Sequence, residues 1–291
     1  MKSIVSYPER GKGGKSSYRG NCSPLLIRDL FNYYQPKKVF DPMVGSGTTK
    51  DVCEELGINY DVADLNPKWG GWDALKDEIP GVYDMIFFHP PYSSIIKYSG
   101  NMWGKVDNRD LSRIPLNEYP RFIKNLNTIQ ARLFAALRKG GRIAILVGDV
   151  KKNGVLYSIQ RDMAWLGIPE QVIIKAQHNC MSDKQSYSGK FVPIIHEYLI
   201  ILKKNECYIL PTKITVDKSL AWTQIKTLSW RSAIRMALDK LGGKAKLQDI
   251  YKELSDFVIS KKHSDPKAKI REVLQTKPEF HSISRGIWAL A

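Results

Sequence analysis

Short apolar runs bounded by turn residues alternate along the first two thirds of the chain with segments whose apolar positions recur every three or four residues. The runs predict strands at "KKVFDPM" (37–43), "NYDVADLNP" (59–67), "VYDMIFFHPPY" (82–92), "RIAILVGD" (142–149), "EQVIIKAQ" (170–177) and "HEYLIILKK" (196–204). The helical spacing predicts helices at "SPLLIRDLFNYY" (23–34), with Ser23 as N-cap and Pro24 in the first turn, and at "GSGTTKDVCEELG", ending at Gly57. It predicts two more at "EYPRFIKNLNTIQARLFAALRKGG", closed by Gly140 and Gly141, and at "YSIQRDMAWLG". Residues 1–20, rich in Gly, Lys and Ser, read as mobile. Strands alternating with helices imply an α/β fold with a parallel, doubly wound sheet. The last two strands follow each other without a helix and are expected as an antiparallel hairpin at its edge.

The pattern changes after residue 205. Residues 206–228 read as a linker, which leaves a larger domain over 1–205 and a smaller one over 229–291. The smaller one shows three helical segments, "WRSAIRMALDKLGG", "LQDIYKELSDFV" and "KAKIREVLQT". A β-hairpin, "EFHSISRGIWALA", turns at Arg285-Gly286. Three helices and a terminal hairpin predict a winged-helix module.

Composition narrows the classes. Of the 291 residues, 45 are Lys or Arg and 29 Asp or Glu, a formal charge of +16 that favours a polyanionic partner, nucleic acid first. No apolar run is long enough for a membrane span, and the basic N-terminus lacks the apolar segment of a secretory signal. Cys22, Cys53, Cys180 and Cys207 form no CxxC pair, so reduced thiols in a cytoplasmic protein are expected and no metal site. His178, His196, His263 and His281 show no ligand spacing either.

Three places carry candidate chemistry. "DPMVGSGTT" (41–49) is a glycine-rich strand-to-helix turn in which Gly45 and Gly47 allow close backbone approach to a ligand. It is neither a Walker A sequence nor the dinucleotide fingerprint. Asp64 ends the next strand, placed for ribose hydroxyls, and Asp73 follows on a loop, placed for an adenine amino group. Taken singly each aspartate reads first as a helix cap or a surface charge; with the turn they outline a nucleoside pocket. The third place is the corner His89-Pro90-Pro91-Tyr92 at a strand's carboxyl end, where such sheets bind ligands.

"FDPMVGSGTT", "DLNP", "DAL" and "HPPY" together resemble the amino-group DNA methyltransferases, which use S-adenosylmethionine to methylate N6 of adenine or N4 of cytosine. The likeness covers most of residues 1–205 and implies a Rossmann-like methyltransferase sheet. It implies that Asp41, Pro42, Gly45, Ser46, Gly47 and Thr48 lie beside the cofactor's methionine part, with Ser23 and Pro24 at its amino-acid end. Asp64 would hold the ribose and Asp73 would lie near the adenine. The Pro90 carbonyl would accept from the target amine, Pro91 would fix the corner, and the Tyr92 ring would stack on a base flipped from double-stranded DNA. The two strand ends must then face one cavity. The glycine turn precedes the corner here, whereas many relatives have the reverse order, as a circular permutation allows.

His89 departs from the pattern, which usually has Asp, Asn or Ser there. As a neutral imidazole it offers one acceptor nitrogen, so it is expected to accept from the amine, with activity falling as pH drops through about 6.5. Lys97, Lys105 and Arg109 fall in a loop that the resemblance places over DNA. Residues 229–291 resemble HARE-type winged helices. Lys267, Lys269 and Arg271 would enter the major groove and Arg285 would lie on the wing. Adenine N6 methylation of DNA comes first among the functions, then cytosine N4, then an RNA methyltransferase, a catalytically inactive DNA-binding regulator, or glutamine methylation. The recognition sequence, a restriction endonuclease partner and dimerisation are not legible in the chain.

Overall fold

A computed structural model describes residues 1–178, 192–205, 212–213, 229–261 and 263–291. The segment read as a linker, 206–228, falls almost wholly outside them, as do Cys180 and Cys207. The chain divides into two compact units, Met1–Val216 and Asp217–Ala291.

The first unit is built on seven strands: β1 (Ile4–Ser6), β2 (Lys38–Asp41), β3 (Asn59–Val62), β4 (Tyr83–Phe88), β5 (Leu137–Val147), β9 (Ile168–Ala176) and β10 (His196–Lys203). They lie in the order β3-β2-β4-β5-β10-β9-β1. Strands β3, β2, β4 and β5 are parallel, and β10 runs antiparallel to both β5 and β9. Between β5 and β9 lie a hairpin of β6 (Val150–Lys152) and β7 (Val155–Tyr157) and the two-residue β8 (Trp165–Leu166), which pairs with β11 (Thr212–Lys213).

Helices cover both faces, as a Rossmann-like sheet requires. Met85 and Phe87 of β4 pack under α1 (Pro24–Tyr34) and α2 (Thr48–Leu56), with Leu26, Phe31 and Val52. Ile86 and Phe88 point the other way, onto Phe122, Leu126 and Leu133 of α3 (Tyr119–Ala135). A strand buried on both faces reads as a continuous apolar run, which is why "MIFF" shows no alternation. Ser23 caps α1, its hydroxyl accepting from the Leu25 N–H at 3.3 Å.

Three expectations are corrected. Within residues 1–20, read as mobile, Ile4–Ser6 form a strand: β1 pairs in parallel with β9 and lies beyond the antiparallel pair. Gly140 and Gly141 do not close α3, which ends at Ala135; they lie inside β5. There the register with β4 jumps from Tyr83↔Leu137 to Met85↔Arg142, and a Cβ on Gly141 would stand 2.9 Å from the Arg138 carbonyl oxygen. Residues 157–167 hold only one helical turn, Ile159–Asp162, before β8. Met163, Ala164 and Leu166 are buried nearly in succession, and the Ala164 N–H donates to Asn127 Oδ1 on α3 at 2.8 Å. Continuous burial of that kind suits extended chain and not one face of a helix.

The second unit has helices Trp230–Lys240, Leu247–Glu253, Ser255–Lys261 and Pro266–Thr276. Its sheet, ordered β12 (Lys244–Lys246), β14 (Ile287–Leu290), β13 (Phe280–Ser284), is antiparallel throughout. The segment expected as one helix, "LQDIYKELSDFV", is broken at Leu254 into two. Ile234, Leu238, Ile250, Phe257, Ile270 and Leu274 form its core. The hairpin turns at Arg285-Gly286, with Gly286 at φ 78°.

Candidate active site

The carboxyl ends of β2, β3 and β4 open into one cleft. Its floor is the turn after β2. Gly45 sits at φ 49°, its N–H donates to Asp64 Oδ2 at 2.9 Å, and its carbonyl accepts from Trp69 Nε1 at 2.8 Å. A Cβ at Gly45 would stand 3.1 Å from the Tyr18 ring, so a side chain there would crowd the cleft. Gly47, at φ 92°, opens α2 without a side-chain cap. Asp64 also accepts from the Asn66 N–H at 2.8 Å. These bonds hold the carboxylate in place, and each of its oxygens keeps a further lone pair.

Asp41, buried, accepts from the Met43 N–H at 3.0 Å. Burial pushes its carboxyl up to about 7 despite the hydrogen bonds from Thr49 and Met43. Burial also raises Asp64, against the pull of the Asn66 and Gly45 N–H groups. Asp73, buried, accepts from the Leu75 N–H at 2.9 Å.

Of the residues singled out in the sequence, Asp41, Pro42, Gly45, Ser46, Thr48, Asp64, Asp73, His89, Pro91 and Arg109 border this cleft. Ser23, Pro24, Gly47, Pro90 and Tyr92 do not. Ser23 and Pro24 start α1, and the wall there is made by Asn21, Cys22 and Ile27. Pro90 is buried. Lys97 and Lys105 are exposed and do not line the cleft, and Arg109, which does, pairs with Asp107 at 2.7 Å. Tyr18 and Tyr98, stacked with centroids 5.9 Å apart, also line it; of the two, Tyr18 was not singled out in the sequence.

At the corner, Tyr92 is half-buried and its hydroxyl donates to Glu197 Oε1 at 2.7 Å. His89 Nε2 lies 3.1 Å from the same hydroxyl. Glu197 is 7% exposed in its side chain and pairs with Lys175 Nζ at 2.5 Å. The two are direct cross-strand neighbours on β10 and β9. Burial pushes the Glu197 carboxyl up, but Lys175, then His89 and the Tyr92 hydroxyl, outweigh it and hold the group at about 2. Burial takes His89 down from 6.5 to about 4, with Glu197 pulling the other way. The pH window expected from an unperturbed histidine is therefore displaced by more than two pH units, and His89 is neutral near pH 7. Glu197 and Lys175 were not singled out. The signal available was a charge inside each of two apolar strands.

In the second unit, the Lys267 ammonium lies 5.6 Å from the Tyr251 ring centroid, Lys269 pairs with Glu272 at 2.7 Å, and Arg271 donates to the Tyr251 hydroxyl at 3.0 Å. Arg285 is exposed on the hairpin turn. Among the described residues no group of His, Cys, Asp or Glu is placed to hold a metal ion, and no helix is long and apolar enough to cross a membrane.

Neither a protein-family model nor a curated protein sequence matches the chain. Among solved structures it is similar to TrmN from Thermus thermophilus, at 18% identity over 65% of this chain and 51% of that one, with a TM-score of 0.41. It is similar to TTHA0409 from the same organism, provisionally named a DNA modification methylase, at 14% identity over 66% and 60%, with a TM-score of 0.31. It is also similar to the N-methyltransferase NodS from Bradyrhizobium japonicum in complex with S-adenosyl-L-homocysteine, at 10% identity over 68% and 95%, with a TM-score of 0.39. The chain thus spans only 51% and 60% of the length of the first two. At these identities and scores none of the likenesses assigns an activity.

Proposed function

We propose that the chain is an S-adenosylmethionine-dependent methyltransferase acting on an exocyclic amine of a DNA base, adenine N6 first and cytosine N4 second. The supporting observation is that Gly45, Asp64 and Asp73 border the same cleft as His89 and Pro91. The sequence likeness requires that meeting of two strand ends, and strand pairing β2–β4 brings it about.

The cleft fits such a cofactor. The bare Cα of Gly45 leaves room a side chain would fill, Asp64 keeps acceptor capacity for ribose hydroxyls, and buried Asp73 can accept from an adenine amino group. When bound, the cofactor supplies an electrophilic methyl group. The chain's own task is the nucleophile. An exocyclic amine delocalises its lone pair into the ring, and acceptors aimed at its N–H groups restore it and stabilise the developing positive charge. The Pro90 carbonyl, stiffened by Pro91, and the neutral His89 ring would supply two acceptors. Tyr92, half-buried and outside the cleft wall, would stack on the base.

We assign residues 229–291 as a winged-helix module that binds the duplex. The helix–strand–helix–helix–helix–hairpin order supports this, with Lys267 and Arg271 exposed on the last helix and Arg285 on the turn. The charge of +16 is consistent with phosphate contacts.

Incubation with radiolabelled S-adenosylmethionine and DNA, RNA or protein in parallel tests the reading. Label is expected in DNA and, after digestion to nucleosides, in N6-methyladenine. Label confined to RNA or protein, or none at all, overturns it.

A further inference from the structure

We propose that Lys175, Glu197 and Tyr92 form a positioning chain that sets which nitrogen of His89 carries the ring proton, so that His89 presents Nδ1 as a hydrogen-bond acceptor. The acceptor's use rests on the function proposed above; the direction of the chain does not.

The Tyr92 hydroxyl has one proton and two polar neighbours, Glu197 Oε1 at 2.7 Å and His89 Nε2 at 3.1 Å. An ionised carboxylate can only accept. If the hydroxyl turned its proton to the imidazole, two oxygen lone pairs would face each other at 2.7 Å in a buried site. The proton therefore goes to Glu197. The hydroxyl oxygen is left as an acceptor toward His89, so Nε2 must be the N–H and Nδ1 the lone pair.

Lys175 decides the polarity of the whole chain. A buried carboxylate without a cation takes up a proton. A protonated Glu197 could donate to Tyr92, Tyr92 could then donate to His89 Nε2, and the proton would sit on Nδ1. The same four side chains would then show a target amine a donor in place of an acceptor. The ammonium at 2.5 Å from Glu197 Oε2 keeps the carboxylate ionised. Cys22, also close to this pair, is pushed up to about 12 by burial and stays a neutral thiol, adding no competing charge. His89 alone among the four borders the cleft, so the chain delivers its result at one residue.

The test reads the tautomer directly, by 15N and 1H NMR of the histidine-labelled full chain without substrate. In the parent protein His89 should show a protonated Nε2 with a solvent-protected N–H, and a bare Nδ1. Tyr92→Phe keeps the ring and should expose that N–H to rapid exchange. Lys175→Met should move the proton toward Nδ1. Both variants should slow single-turnover methyl transfer roughly 10- to 100-fold with cofactor affinity unchanged, as for other residues that orient a functional imidazole. A proton on Nδ1 in the parent protein, or an unaltered His89 spectrum in Tyr92→Phe, overturns the proposal whether or not Lys175→Met folds. Absence of methyl transfer alongside a protonated Nε2 sinks the amine-acceptor role and leaves the chain's direction standing.

Discussion

The two strand ends that meet in the cleft are held in opposite ways. The glycine turn after β2 is fixed by main-chain groups: the Gly45 N–H on Asp64, the Met43 N–H on Asp41, the Gly45 carbonyl under Trp69. Each of these bonds joins residues no more than 24 apart in sequence. The corner after β4 is fixed by side chains, and its anchor, Glu197, is 105 residues from Tyr92. A turn whose main chain is held by a few nearby side chains tolerates exchange of the others, which only face the ligand. A corner held by a buried ionic chain fails as a unit.

The largest effect is expected from Lys175→Met. Leaving Glu197 buried without its cation should cost about 3–5 kcal/mol in chemical denaturation, and adding Glu197→Gln should recover much of it. A loss below about 1 kcal/mol, the value of an exposed pair, would mean that the corner is not held as described. Next comes Asp64→Ala. It removes an acceptor from two main-chain N–H groups and should cost about 2–3 kcal/mol, with cofactor affinity falling in the same variant by calorimetry. Loss of stability without loss of affinity would reduce Asp64 to a structural role. Gly148→Ala is milder. Its Cβ would stand 2.9 Å from the Tyr92 ring, and about 1–2 kcal/mol of overpacking is expected, with transfer slowed and cofactor affinity kept.

The smallest expected effect is a flat pH profile. His89 has its folded pKa depressed to about 4 from 6.5. The unfolded chain thus binds the extra proton first, and its contribution to stability is lost as pH falls from about 6.5 to 4. Single-turnover transfer should change less than about twofold between pH 8 and 5 if His89 governs it. A midpoint near 6.5 would show that His89 is solvated. Asp41 has the opposite sign: its pKa is raised to about 7, so it costs stability as pH rises from about 4 to 7, and Asp41→Asn should flatten that slope in thermal melts.

What could be read from the chain follows the same division. The β2 turn, α2 and Asp64 were legible because glycines, a strand end and an acidic residue about 20 positions on are a local pattern. The strands were legible because burial on two faces leaves unbroken apolar runs. Gly140-Gly141 misled because a glycine pair marks a helix stop and a bulge alike, and only the neighbouring β4 carbonyls decide between them. Residues 163–166 misled because a short apolar run fits helix or strand until its partners are known. Glu197 and Lys175 stayed hidden because their meaning is a cross-strand register, which no spacing along the chain encodes. The N-terminal segment looked loose because its Gly and Lys content says nothing of β9 waiting to pair with Ile4–Ser6.

That last feature couples two things that look separate. Ile4–Ser6 zip onto β9, and a dozen residues later the same piece of chain lays Tyr18, Asn21 and Cys22 along the cleft. Whatever unzips the sheet's rim, whether a competing peptide strand or a trimmed N-terminus, should also slacken the roof over Gly45. Amide exchange at Val5 would thus serve as a remote gauge of how tightly the cleft is shut.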